Sequence, residues 1–171
     1  MTRMTIVCGL PGTGKSTFAL ALAESIGAVH LNTDRVRHAL GRQGQYSLAL
    51  KSAIYDSLLL RAREALNAGK DVVLDGTFYK EKLRRTFILL AEELQVPVHW
   101  IEMVASEKTV RERVSKTRPY TEADYSVYQK IKNEFDPLPP GRLTLDSDIL
   151  KVDDMVRLAK EYIHVTNLAY Q

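Results

Sequence analysis

The run from Thr5 to Thr17 reads T-I-V-C-G-L-P-G-T-G-K-S-T, and the architecture of the chain follows from it. Gly9, Gly14, Lys15 and Ser16 stand at the spacing G-x-x-x-x-G-K-[ST] of a phosphate-binding P-loop. A loop that wraps a triphosphate turns its own N–H groups inward, through conformations that glycine reaches without strain. Gly12 supplies a third permissive position and Pro11 stiffens the loop, so Gly9, Leu10, Pro11, Gly12, Thr13, Gly14, Lys15, Ser16 and Thr17 form the expected nucleotide cradle. Lys15 would bring a compact positive charge to the β- and γ-phosphates, and Ser16 a hydroxyl to Mg²⁺. With Gly at roughly 7% of residues, chance produces such a match in about one per cent of chains this long. Context sharpens the motif further. Met4, Ile6, Val7 and Cys8 form an apolar run before it, a strand, and Phe18, Leu22 and Ile26 recur at helical spacing after it, with Gly27 as a stop signal.

At 171 residues, 26% charged and 45% hydrophobic, the chain has ordinary globular composition and the length of one domain. A formal charge of +3 is too small to argue by itself for nucleic acid or a membrane surface. No apolar run reaches the length of a membrane span, and the first strand begins almost at Met1, so no targeting segment is expected. Cys8 is the only cysteine; this excludes an internal disulfide and fits a reducing cytoplasm. Its place in a buried strand marks it as core. His30, His38, His99 and His164 are scattered without metal-ligand spacing.

Strands and helices alternate along the chain, which predicts an α/β fold with a mainly parallel sheet. Ala28 to Asn32 reads as the second strand, Asp34 to Leu40 as a short helix, and Val72 to Asp75 as the third strand. The helix between them shows Ile54, Leu58, Ala62 and Ala65/Leu66 on one face. Leu83, Phe87, Leu90 and Leu94 mark the next, and Val98 to Val104 is a fourth strand long enough to be central. Beyond it, Ser106 to Thr117 is a charge-dense helix, and Thr121 with Asp124 resembles a capping box. Tyr125, Tyr128, Ile131 and Phe135 follow at helical spacing, read as core packing. Leu143 to Leu145 makes a short fifth strand, and Val152, Val156, Ala159 and Ile163 line a last helix.

The remaining residues choose among P-loop activities. A GTPase base-reading N-K-x-D and a transporter L-S-G-G-Q are absent, and a ring-forming ATPase usually needs a longer chain with an extra helical domain. A compact kinase remains. Asp75 closes an apolar strand, and strand C-termini gather at the ligand edge of such sheets, so its carboxylate would join Ser16 in the Mg²⁺ shell. D-G-T at Asp75 also matches the end of the phosphatase pattern D-x-D-G-T, but Val73 stands where the nucleophilic Asp would be. Asp34 lies just past the second strand in L-N-T-D-R-V-R, with Arg37 one helical turn on. A carboxylate there could orient an attacking hydroxyl, and the arginine could grip an anionic acceptor. By spacing alone, an Asp capping a helix beside a solvated Arg is the commoner arrangement.

G-L-P-G-T-G-K-S-T, then D-R-V-R, then V-V-L-D-G-T-F, then the Arg-rich helix resemble the small P-loop kinases. That family includes polynucleotide 5′-hydroxyl kinase domains and zeta-toxin-type kinases, and the resemblance runs through most of the chain. It implies a three-layer fold with sheet order 2-3-1-4-5 and one kinase domain over residues 1–171, its lid at about 106–135. It also implies binding of ATP and Mg²⁺ through Lys15 and Ser16, with Asp34 as general base. Arg37 would contact the acceptor's phosphate, and a lid arginine would stabilise the transferring group. Arg111, Arg113 and Arg118 all qualify, Arg113 first and Arg118 next. Tyr120 and Tyr125 could stack a base or sugar, or pack. The D-x-x-R pair favours a polynucleotide 5′-hydroxyl as acceptor. A small-molecule hydroxyl on a sugar, nucleoside or antibiotic stays open, as does a non-kinase ATPase switch that reports occupancy to a partner.

Overall fold

Alternation along the strands sorts the apolar residues into two layers. A computed structural model describes residues 2–41, 48–116 and 124–168. Its first strand, β1 (Met4–Cys8), is buried at every position. Met4, Ile6 and Cys8 point into one core and Val7 into the other, as a period of two requires. Three further strands carry the pattern: β2 (Val29–Asn32), β3 (Val72–Asp75) and β4 (Val98–Val104). With β5 (Leu143–Asp146) they form a parallel sheet in the order β2-β3-β1-β4-β5. The expected topology is met: β1 holds the middle, and the long β4 is an interior strand paired with β1 and β5.

Helices cover both faces. One core lies under α3 (Leu48–Asn67) and α4 (Glu81–Leu94); the other lies under α1 (Lys15–Ile26) and α7 (Val152–Leu168). The apolar face read for α3 is buried through Ile54, Leu58, Ala62 and Leu66. The short α2 (Thr33–Ala39), together with α5 (Glu107–Val114) and α6 (Tyr125–Asn133), completes the helices among the described residues.

Element ends depart from the sequence expectation where side chains do the capping. Asn32 caps α2, its Oδ1 accepting the Arg35 N–H at 2.8 Å, so Asp34 is inside the first turn and is not the cap. Asp124, one member of the expected Thr121–Asp124 capping box, caps α6 and accepts the Val127 N–H at 3.0 Å. Thr121 lies outside the described residues. The charged helix stops at Val114, short of Thr117. Tyr128 and Ile131 of α6 are buried, as periodicity demands.

One buried cation was not foreseen. Arg84 on α4 is 2% exposed, and its guanidinium donates to the carbonyls of Phe78 (2.9 Å), Pro137 (2.6 Å) and Asp136 (3.4 Å). It holds Phe78, whose φ of 46° is unusual for a residue with a side chain, against the loop after α6. The Phe78 N–H is held as well, by the Tyr55 hydroxyl at 3.1 Å. Arg84→Met removes the donors and strands buried carbonyls, at a cost of about 3 kcal/mol. For a chain of this size that corresponds to a Tm lower by roughly 6–12 °C. Thermal unfolding followed by circular dichroism checks this; a Tm within about 2 °C of the parent would show that the clamp contributes little.

Candidate functional site

The phosphate loop is held by its neighbours as tightly as by its own sequence. Gly9 leaves β1 at φ 136°, and a Cβ there would meet the Met103 carbonyl oxygen of β4 at 2.4 Å. Gly12, at φ 81°, lies under α5, where a Cβ would sit 3.0 Å from Val114 and 3.1 Å from Val110. Gly9 is therefore required by close approach to backbone as well as by conformation, whereas at Gly12 the positive φ is the main demand and the valine methyls make it tight. The Thr13 hydroxyl (2.8 Å) and the Lys15 ammonium (2.7 Å) both donate to the Leu10 carbonyl, closing the loop on itself. Gly14 caps α1 in the left-handed region with no side-chain acceptor, leaving the positive end of the helix directed at the loop.

At the strand ends, register brings the polar residues together. Asn32 lies opposite Asp75 in the β2–β3 pairing, and Val7 lies opposite Asp75 on the other side. Asp75 is 1% exposed. Its Oδ2 accepts from Asn32 Nδ2 at 2.5 Å and lies 3.4 Å from His30 Nε2. Its Oδ1 is buried without a hydrogen-bond partner. Asn32 Nδ2 also reaches Ser16 Oγ at 3.2 Å, which links Asp75 to the start of α1. A buried carboxylate oxygen without a protein partner, on a side chain that Asn32 links to the Ser16 hydroxyl, suits a hard divalent cation such as Mg²⁺. That ion commonly takes one or two protein oxygens and completes its shell with phosphates and water. Accordingly, the described residues hold no cluster of three or more His, Cys, Asp or Glu side chains that would form an all-protein metal cage.

Asp34 and Arg37 form an ion pair across one turn of α2, their side chains 30% and 12% exposed. Desolvation pushes the Asp34 carboxyl above its usual value, against the lowering pull of Arg37 and, more weakly, Lys15. The field of Asp75 adds to the upward shift, so Asp34, Lys15 and Asp75 share one electrostatic neighbourhood. A half-buried carboxylate with raised proton affinity is a better base than a solvated one.

The arginines of the charged helix separate cleanly. Arg113 reaches back to the phosphate loop, donating to the Gly12 carbonyl at 3.2 Å and to Ser147 Oγ at 2.7 Å. Arg111 turns the other way, into a clasp between α5 and α6, where it meets Glu107 at 3.1 Å and the Tyr125 hydroxyl at 2.8 Å. It also lies over the Tyr125 ring, 4.1 Å from the centroid, and Tyr125 stacks on Tyr128. Tyr125 therefore packs within the clasp. Arg118 and Tyr120 lie outside the described residues.

Sequence reasoning missed Asn32, His30, Ser147 and Arg84. Asn32 had a usable signal: an N-cap residue type stands just before the helical run, two places ahead of Asp34. His30 follows from Asn32, since residues two apart in a strand share a face. Ser147 and Arg84 act across long sequence separations and left no local mark. Cys8 behaves as read, with burial pushing its thiol up to about 12.

A parallel 2-3-1-4-5 sheet with a glycine-rich loop at its C-terminal edge defines a P-loop kinase-like fold. A family model described as AAA domain matches residues 4–138, and the chain belongs to that family. An uncharacterised protein of Mycobacterium tuberculosis is 33% identical over 124 residues, covering 66% of this chain and 25% of the relative. A bifunctional polynucleotide phosphatase/kinase of Schizosaccharomyces pombe is 29% identical over 108 residues, 63% of this chain and 22% of the relative. The chain thus spans about a quarter of the length of the curated relatives it matches. Among solved structures, a sugar kinase from Janibacter superposes with a TM-score of 0.75 at 19% identity, covering 96% and 95% of the two chains. The APS kinase CysC of Mycobacterium tuberculosis, in complex with AMPPNP and APS, gives a TM-score of 0.75 at 17% identity over 95% and 98%. These likenesses fix the fold. Among the described residues, no helix is long and apolar enough to cross a membrane.

Proposed function

We propose that residues 1–171 form one kinase domain that transfers the γ-phosphate of ATP, with Mg²⁺, to a hydroxyl, and that the acceptor is a polynucleotide 5′-hydroxyl. The observation that carries this reading is the Asp34–Arg37 ion pair on α2, within electrostatic reach of Lys15 and Asp75. An ATPase switch needs no basic carboxylate held beside an anion-binding arginine; a hydroxyl acceptor with a neighbouring phosphate does. The Schizosaccharomyces pombe relative, named as a polynucleotide phosphatase/kinase, supports the same acceptor.

In this reading the loop N–H groups and Lys15 would hold the β- and γ-phosphates, and Ser16 with Asp75 would hold the cation. Bound Mg²⁺ would neutralise charge on the β- and γ-oxygens. Asp34 accepts the proton of the attacking hydroxyl, while Arg37 turns from Asp34 to the acceptor's phosphate. Arg113, already on the Gly12 carbonyl, is the described lid arginine nearest the loop, with its α5–α6 arm forming the lid. Arg118 remains a second lid candidate. The single buried thiol suits a reducing cytoplasm, where we place the protein.

The test is γ-labelled ATP with Mg²⁺ and pooled acceptors: 5′-hydroxyl RNA and DNA oligonucleotides, nucleosides, sugars and aminoglycosides. Label on the oligonucleotide is expected. Label on a small molecule, a substrate class suggested by the sugar kinase neighbour, would keep the chemistry and replace the acceptor. ATP bound or slowly hydrolysed with no labelled acceptor would favour the switch.

A further inference from the structure

We infer that Asn32 is a positioning residue, orienting the Asp75 carboxylate for the metal and tying that rim to the helix that carries Asp34 and Arg37. The inference rests on the phosphotransfer reading above. Its geometry begins with a direction. Asn32 Oδ1 must accept, because the Arg35 N–H of α2 points at it from 2.8 Å. The amide nitrogen is then forced to the opposite side, where it meets Asp75 Oδ2 at 2.5 Å and Ser16 Oγ at 3.2 Å.

Asn32 is 6% exposed, so neither half of the amide can turn to bulk water instead. With Asn32 and His30 both on Oδ2, the oxygen of Asp75 left without a partner is Oδ1. The amide therefore selects which carboxylate oxygen remains for a cation. It also joins three elements through one side chain: the start of α1 at Ser16, the end of β3 at Asp75, and the first turn of α2.

The position needs an acceptor and a donor on one short side chain. Serine and aspartate both cap helices well. Serine has no second arm to reach Asp75 while it caps. Aspartate would set a second carboxylate at hydrogen-bond distance from Asp75, an arrangement that disfavours the doubly charged state unless a cation intervenes. Of these residue types only asparagine meets both demands. Groups that orient a metal's carboxylate typically change metal affinity or activity by about 10–100-fold when lost.

The experiment uses Asn32→Ser and Asn32→Asp in the full chain, with a fluorescent ATP analogue titrated in Mg²⁺ and again in EDTA. For the parent, Mg²⁺ is expected to tighten binding. Asn32→Ser is expected to lose about tenfold of that Mg²⁺-dependent gain. Its affinity in EDTA should stay within about twofold of the parent, because Asn32 meets the cradle only at the Ser16 hydroxyl, which this reading gives to the cation, while the loop N–H groups and Lys15 keep their places. Asn32→Asp is expected to show a larger Mg²⁺-induced rise in Tm than the parent, since the cation relieves two facing carboxylates. If both variants keep the parent's Mg²⁺ responses, Asn32 is a helix cap and nothing more. If Asn32→Ser fails to fold, the Tm response of Asn32→Asp decides alone, and a response equal to the parent's overturns the inference. If the parent itself shows no Mg²⁺-dependent gain, the phosphotransfer reading fails first and the role of Asn32 with it.

Discussion

Lys15→Ala is expected to lower phosphoryl-transfer turnover at least about a hundredfold, while the fold stays intact. The Lys15 ammonium donates to the Leu10 carbonyl at 2.7 Å, inside the loop whose anion-binding geometry Gly9 and Gly12 enforce. A triphosphate entering that loop offers a stronger partner than a carbonyl, since ion–ion hydrogen bonds are roughly twice as strong as neutral ones. The charge that builds on the bridging and γ-oxygens during transfer is largest in the transition state. A cation placed there lowers the barrier more than it stabilises the bound substrate. The loss should therefore fall on kcat as well as on ATP affinity. The loop retains Thr13 on the same carbonyl at 2.8 Å, so removal of one part-buried donor should cost only about 1 kcal/mol of stability. Steady-state transfer assays beside thermal melts separate the two effects. Turnover within threefold of the parent, with ATP still bound, would remove Lys15 from phosphate stabilisation and the kinase assignment with it.

Local sequence carried the fold because each decision was local. The apolar run Met4–Cys8, the glycine spacing after it and the 3.6-residue periodicity of α3 and α7 each determine one element without outside help. Parallel pairing then follows from alternation, and the strand order came from family resemblance rather than from any residue pattern. Site residues were legible where their chemistry sits in a motif, as with Gly9 to Thr17 and Asp34 with Arg37. They were hidden where function depends on register. Nothing near Asn32 in sequence announces that it will lie beside Asp75, 43 residues on, across the β2–β3 pairing. Arg113 and Arg111 differ by two positions on one helix and read alike as charges. A rotation of roughly 200° between positions two apart sends one to the phosphate loop and the other to the Glu107 clasp. Helical charge composition cannot make that distinction; the packing of Val110 and Val114 over Gly12 does.

Asp34→Asn should leave ATP affinity within about threefold of the parent yet lower transfer by roughly a thousandfold, the middle of the range for loss of a general base. The substitution keeps shape and the place in the first turn of α2, which Asn32 rather than Asp34 caps. What changes is the ability to take a proton from an attacking hydroxyl. The pH dependence supplies a second signature. Burial holds the Asp34 proton to higher pH than a solvated aspartate would, with Arg37 pulling the other way. The base acts only when deprotonated, so kcat/KM in the parent should fall as pH drops through that raised value. The falling limb should lie above the ordinary aspartate range, which centres near 3.8. In Asp34→Asn the same limb should disappear from whatever residual rate remains. An ATP switch that orients water through other groups predicts the opposite pattern, with hydrolysis and its pH profile unchanged by the amide. Measuring transfer, hydrolysis and nucleotide binding for the one variant across pH 4–8 therefore decides between them. Unchanged transfer with the acidic limb intact would take Asp34 out of the base role, and leave Arg37 without the partner that makes it an acceptor clamp.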